Sequence, residues 1–340
     1  MTRHKRDPAR PGRDLSRAAA IGRVVPLLGL AACGGEQSAL NLAGRDAASI
    51  GQLFWVMLAG AVLLWLALNG AFYILSHIAS DRFDERYIRP LLIGGGIVLP
   101  AVVLSALLVW GLSLLPDPRR PGDGLVVRVT GEQWWWRVEY WPEGADAPIV
   151  SANEIRLPVG QRTEFRLTSD RVIHSFWIPA LGGKMDMFPG RETMISLHPD
   201  TPGRFRGQCA EFCGASHAWM AFAAITMEPD AFDAWLAAEA ADAAPPTGAA
   251  AMRGQTVFFD QGCGACHTIR GTPAVGQVGP DLTHVGGRAT LGAGRSPLDL
   301  DAIADWIAHT GDLKPGVRMP AYDLPERDLV DLAHYLEGLK

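Results

Sequence analysis

Residues 207–220 read GQCAEFCGASHAWM. Cys209, Cys213, His217 and Met220 place four soft or borderline metal donors within twelve residues. A zinc site, a disulfide and an electron-carrying metal centre are the readings open to such a stretch. A structural zinc site uses Cys-x(2–4)-Cys with further Cys or His and does not recruit methionine, whereas thiolate and thioether beside imidazole favour copper. One more strong ligand would complete two metal ions sharing two thiolates. The segment VIHSFWIPALGGKMDMFPG (172–190) supplies it as His174, at an expected strand edge 35 residues before Cys209. A coordination shell without an open position binds no substrate, and an electron spread over two bridged metals changes bond lengths little. The expected task is to pass electrons.

A second motif points the same way. CGACH, Cys263 to His267, is Cys-x-x-Cys-His. Two thiols at this spacing add to the two vinyl groups of one haem, and the adjacent histidine falls under the iron. Met319, between Pro315 and Pro320 in KPGVRMPAY, is the candidate for the sixth iron ligand, because a thioether closes the coordination sphere and raises the potential. His284, His309 and His334 lack comparable context and read as surface residues.

The 340 residues suffice for two or three domains, and the apolar excess lies before residue 116. Residues 1–32 carry seven basic and two acidic side chains and end in a short apolar run, the pattern of a secretory signal peptide. LAAC (30–33) resembles a bacterial lipobox, which makes Cys33 the expected lipidation site and 33–49 a periplasmic tail. Without the signal the formal charge moves from −5 to about −10, which suits a basic protein partner and argues against nucleic acid. The remaining four cysteines form two close pairs, each beside a histidine, as metal and haem sites do.

Two uncharged runs, 50–75 and 90–115, each exceed the ~20 residues needed to cross a bilayer core. They predict a transmembrane hairpin over 50–116, and the arginines of the intervening SHIASDRFDERYIR place that loop in the cytoplasm. From 117 to 236, short alternating runs such as LVVRVTGEQWWWRVEY, RTEFRLTS and AFAAITM predict antiparallel strands in an all-β sandwich or small barrel. PDAFDAWLAAEA (229–240) predicts a helix, and the Ala/Pro-rich 237–251 region a linker. Residues 252–340 predict a small helical domain. A tether of this kind makes transfer between modules local, with an effective concentration set by its length.

On VGPDLTHVGGR (278–288), CGACH and the terminal DLVDLAHYL, residues 252–340 resemble class I cytochrome c. On His174 and the 207–220 stretch, the β domain resembles the cupredoxin domain of haem-copper oxidase subunit II. The order of lipobox, two spans, copper domain, linker and cytochrome c is similar to subunit II of the caa-type cytochrome c oxidases. The resemblance implies a dinuclear copper A centre. In it Cys209 and Cys213 bridge both coppers, His174 and His217 bind one each, and Met220 and the Glu211 carbonyl are weak ligands. It also implies that the Glu211 carboxylate faces a magnesium ion shared with subunit I, that Lys184 and Asp186 face the same subunit, and that Trp134 of GEQWWWRVEY is the electron entry. Subunit I, subunit III and a soluble or membrane cytochrome c or cytochrome bc complex are the implied partners, at the outer face of a bacterial inner membrane. A nitric oxide reductase-type complex is the alternative assembly. Where the family commonly has a glutamate in the second span, this chain has Ile93 followed by GGG, which puts a proton route through that position in doubt.

Overall fold

The computed structural model describes residues 34–78, 85–114 and 120–340. The expected signal peptide and Cys33 lie outside the described residues.

Helix α1, Arg45–His77, has 33 residues and is about 50 Å long at ~1.5 Å per residue. That exceeds the ~30 Å hydrocarbon core. Part of the surplus is at its start, five residues ahead of the apolar run. Ala47 and Gly51 are buried there, and the Asp46 carboxylate meets Arg162 in a two-pronged ion pair with contacts of 3.1 and 3.3 Å. The second run folds as α2, Glu85–Ile93, and α3, Leu99–Ser113, joined by one wide π turn over Gly94–Val98. Pro100 has no N–H to give to the turn below it, and a widened turn is a common way for a helix to absorb that loss. Most side chains of both spans are exposed within this chain, as a surface for lipid or partner subunits requires.

Residues 126–227 form a sandwich of two five-stranded sheets. With β1 Val126–Gly131, β2 Trp136–Trp141, β3 Ile149–Ala152, β4 Glu154–Pro158, β5 Thr163–Ser169, β6 His174–Trp177, β7 Met185–Met187, β8 Thr193–Leu197, β9 Gly203–Cys209 and β10 Ala221–Met227, the orders are β3-β2-β1-β5-β8 and β4-β10-β9-β6-β7. The sheets are mixed and not purely antiparallel as expected. β1 lies parallel to β5, and β4 parallel to β10. The reason is that β4 crosses to the second sheet, so the chain re-enters the first in the direction of β1. Between the sheets Trp136, Phe176 and Phe222 pack with ring centroids 5.2 to 6.2 Å apart, directly behind His174.

The run LVVRVTGEQWWWRVEY is two strands, not one. Glu132 N–H donates to the Trp135 carbonyl at 2.9 Å, which leaves Gln133 and Trp134 at a hairpin tip. Arg162, at the start of β5, ties both membrane connections to the sandwich. Its side chain holds Asp46, while its backbone N–H and carbonyl bond Asp123 on the chain returning from the second span, each at 2.7 Å.

After α4, Pro229–Ala240, the helical domain contains α5 Ala249–Asp260, α6 Leu300–Leu313, α7 Glu326–Glu337 and a small hairpin of Thr290–Leu291 with Ser296–Pro297 (β11, β12). The linker is not a free tether. The Arg270 guanidinium bonds the carbonyls of Glu239 and Ala241, and Ala243 N–H returns to the Arg270 carbonyl at 3.1 Å. His284, read from sequence as a surface residue, also bonds the Ala241 carbonyl at 3.1 Å. Separation of the modules is therefore set by contact, not by linker length.

Because Arg162 is nearly buried and Asp46 partly so, Arg162→Ala should destabilise the β domain by about 1–3 kcal/mol by stranding a carboxylate. In denaturant unfolding of the solubilised chain, adding Asp46→Asn to Arg162→Ala should then cost little more, since the ion pair is already lost.

Candidate metal centre and neighbouring cavity

Four elements deliver the donors named from sequence. His174 opens β6 and Cys209 closes β9, which are hydrogen-bonded neighbours; Cys213 lies in the following loop, and His217 begins a single 3-10 turn that ends just before Met220. The Cys209 N–H donates to the Met220 carbonyl at 2.9 Å and closes the loop on itself. Within it the two sulfurs are 3.7 Å apart, far beyond the ~2.05 Å of a disulfide. His174 Nδ1 is 3.6 Å from Cys209 Sγ, His217 Nδ1 is 3.6 Å from Cys213 Sγ, and Met220 Sδ is 3.8 Å from Cys213 Sγ. The Glu211 carbonyl is 3.1 Å from Cys209 Sγ. His174, Cys209, Cys213 and Met220 are all buried.

The electrostatics suit a cation. Without one, the hydrogen bond between the two sulfurs pulls the Cys209 pKa well below the usual thiol range, while that same bond, burial and the charge of Cys209 push Cys213 up. Among the described residues His174 Nε2 is buried without a partner, so the ring is oriented by packing, with Nδ1 turned to the sulfurs. Soft sulfur and imidazole donors on one closed loop fit two bridged coppers.

The Glu211 carboxylate points elsewhere. Its oxygen lies 4.0 Å from Lys184 Nζ, and Lys184 bonds Asp186 at 2.8 Å. That bond, with a second from Ser175, holds the Asp186 carboxyl below its usual range. A lysine already offsets one of the two carboxylate charges in this patch, so the described residues do not make a magnesium site by themselves; further oxygen donors would have to come from a partner subunit.

Beside the metal loop lies an apolar cavity. Cys263, Cys266, His267 and Met319 all line it, with Phe258, Leu282, Trp306, Ile307 and Leu332. His267 Nδ1 is 2.8 Å from the Pro280 carbonyl, which fixes Nδ1 as the donor and leaves Nε2 free to ligate. Gly279 packs so tightly on that ring that a Cβ would come within 2.5 Å of His267 Cε1. Burial also lowers the His267 pKa, which keeps the imidazole neutral. The Cys-x-x-Cys-His group on the wall of an apolar slot fits a covalently attached haem.

Trp134 joins the two sites. Its Nε1 donates to the Cys213 carbonyl at 3.0 Å, Gln133 supports the same carbonyl at 3.2 Å, and its ring lines the cavity. Gly316 lies against the ring with φ +84°, and a Cβ there would meet Trp134 Cη2 at 2.8 Å. Of the two tryptophans that follow it, Trp136 is in the core, and Trp135 carries Arg137 over its ring at 4.8 Å.

Several contacts here had no sequence signal. Buried Ser216, adjacent to His217, donates to the Pro315 carbonyl at 2.6 Å. Ala221 N–H, adjacent to Met220, donates to the Ala293 carbonyl at 2.9 Å, and Arg295 covers Trp219 at 4.4 Å. Each pairs a copper-loop neighbour with the helical domain, across 70 to 100 residues of sequence, which spacing alone does not reveal.

Residues 142–227 match the family described as cytochrome c oxidase subunit II, periplasmic domain, and residues 251–340 match cytochrome c. The chain is 40% identical over 226 residues to cytochrome c oxidase subunit 2 of Alkalihalophilus pseudofirmus, covering 66% of this chain and 64% of that one, a little under two thirds of its length. It is 32% identical over 251 residues to the subunit 2 of Bacillus sp. strain PS3, covering 70% and 68%. The solved periplasmic domain of cytochrome oxidase subunit II from Bradyrhizobium japonicum is 30% identical, with a TM-score of 0.31 over 35% of this chain and 95% of that domain.

Two outcomes follow from this geometry. Gly316→Ala should weaken the seat of Trp134 by about 1–3 kcal/mol, through left-handed strain and the clash, and lower the thermal midpoint of the chain. For His267, whose pKa falls on folding, stability is complete above the unfolded value of ~6.5 and is lost as pH drops below it. The haem-free chain should therefore lose helical stability on acidification through that range, as circular dichroism would record, and His267→Gln should flatten the dependence.

Proposed function

The chain belongs to the cytochrome c oxidase subunit 2 family, and on that premise we propose that it is the electron-receiving subunit of a respiratory oxidase. Electrons enter at the cytochrome c domain, cross to the cupredoxin domain, and leave for subunit I, where oxygen is reduced to water. The observation that carries this reading is Trp134, one side chain in contact with both the metal loop and the haem-side cavity.

Cys263 and Cys266 would hold the haem as thioethers, with His267 and Met319 on the iron. Cys209 and Cys213 would bridge two coppers, with His174 and His217 on one each and Met220 and the Glu211 carbonyl as weak ligands. When bound, these groups each take up and release single electrons without binding substrate. The protein holds their donors in place beforehand: the Cys209–Met220 backbone bond fixes the loop, Pro280 fixes the His267 ring, and the aromatic core behind His174 excludes water. Low reorganisation of this kind favours electron transfer.

The domain order that supports this reading is a lipoprotein signal (1–32), a tail (33–49), a membrane hairpin (50–116), the copper domain (117–236), a linker (237–251) and cytochrome c (252–340). The position is the outer face of a bacterial inner membrane. Subunit I, and subunit III beside it, would cover the exposed spans. Magnesium at Glu211 is part of the proposal as a site shared with subunit I. The electron donor is a soluble or membrane cytochrome c or a cytochrome bc complex. With Ile93 and three glycines in the second span, a proton route there has no carboxylate at that position.

The test is to purify the intact complex and compare oxygen with nitric oxide consumption from reduced cytochrome c. Oxygen uptake is expected, and nitric oxide turnover without oxygen uptake would sink the oxidase assignment. Cys213→Ser should abolish the near-infrared copper band and cut turnover by more than about tenfold, equivalent to ~1.4 kcal/mol or more of barrier, while the c-type haem spectrum stays. Persistence of the band would refute the ligand set.

A further inference from the structure

Lys314 is 2% exposed and lies on the wall of the cavity around Cys263, Cys266, His267 and Met319. Its ammonium donates to the Gly292 carbonyl at 2.7 Å. No carboxylate pairs with it among the described residues. Besides burial, the ionisable groups that act on it are the Cys213 thiol of the metal loop and Arg295, which carries the same sign. An ammonium has three N–H donors and a strong preference for water or an anion, so a buried one with a single neutral acceptor is incompletely satisfied. Burial accordingly lowers the Lys314 pKa to about 7.

The other buried cation on this wall is different. Arg288 bonds the Asp281 carbonyl at 2.6 Å and feels the carboxylates of Glu239, Asp281 and Glu154, so its charge is already balanced by protein. Arg318, also on the wall, pairs with Asp170 at 3.4 Å, so among the described residues Lys314 is the lining cation left without a carboxylate. The group that Cys-x-x-Cys-His attaches carries two carboxylates of its own.

We propose that Lys314 binds a carboxylate of the haem, which holds its ammonium in the charged form, and that this buried cation favours the reduced over the oxidised haem. This rests on the haem reading of the preceding subsection. Reduction adds one negative charge to the haem, and a cation held in a low-dielectric wall lowers the energy of that state more than it would in water. A purely structural role, anchoring the β11–β12 hairpin through the Gly292 carbonyl, would leave the potential where it is. The residue also sits in the loop that supplies Pro315 to Ser216 and Gly316 to Trp134, so the charge lies on the side of the domain that meets the copper loop.

The experiment is a spectroelectrochemical titration of the c-type haem band in the intact complex, for wild type, Lys314→Met and Lys314→Arg, with covalent haem measured by peroxidase stain on denaturing gels. The stain in wild type tests the haem reading separately from Lys314. The expected result is a lower midpoint potential in Lys314→Met and a value near wild type in Lys314→Arg. An unchanged potential in haem-replete Lys314→Met overturns the proposal, as does an equal shift in both variants, which would indicate packing and not charge. If Lys314→Met retains no haem, Lys314→Arg decides. Full haem at the wild-type potential supports a role for the charge, and haem loss in both variants overturns it.

Discussion

Two thiol sulfurs held 3.7 Å apart in a closed pocket cannot both ionise unless a cation shares the space. The β domain is arranged around meeting that constraint. β6 and β9 are hydrogen-bonded neighbours, which puts His174 beside Cys209, and the Ala210 N–H bond to the Ser175 carbonyl continues their pairing into the loop. The aromatic cluster of Trp136, Phe176 and Phe222 fills the space behind, so the donors are held at spacing before any metal arrives. Preorganised donors of this kind leave little to rearrange when charge changes.

The helical domain is built onto this loop and not merely linked to it. Its Pro315 and Ala293 carbonyls receive hydrogen bonds from residues adjacent to His217 and Met220, and Gly316 receives the Trp134 ring. The Trp134 hairpin tip acts as a wedge between the domains, which is why a side chain from the first strand pair touches a cavity formed by residues 130 to 200 positions later. Arg270 holds the linker down, so the docked arrangement is defined by many polar contacts and not by a chain of a given length.

At the opposite end, Arg162 holds the start of the first span and the chain returning from the second. Together with the Arg45 N–H bond to the His198 carbonyl and the Ala47 N–H bond to the Leu181 carbonyl, this buried guanidinium anchors the start of the first span to the sandwich. The metal loop and this junction are connected through the same two sheets.

Local chemistry was legible in the sequence wherever neighbours in sequence share a site. The spacing of Cys209, Cys213, His217 and Met220, the CGACH run, the two uncharged spans and the β-then-α order each follow from period, spacing or residue type. His174 was found only because the donor count was one short. Tertiary structure decided what depends on pairing across the chain: the parallel β1–β5 and β4–β10 pairs, the break that puts Trp134 at a hairpin tip, the tied-down linker, and the partners of Ser216, His284 and Lys314. A lysine followed by Pro-Gly reads as a solvated loop, and only packing against Gly292 removes it from water. Spacing records which donors can share one loop; the desolvation of a charge depends on every element packed around it, and that is not written in any short stretch.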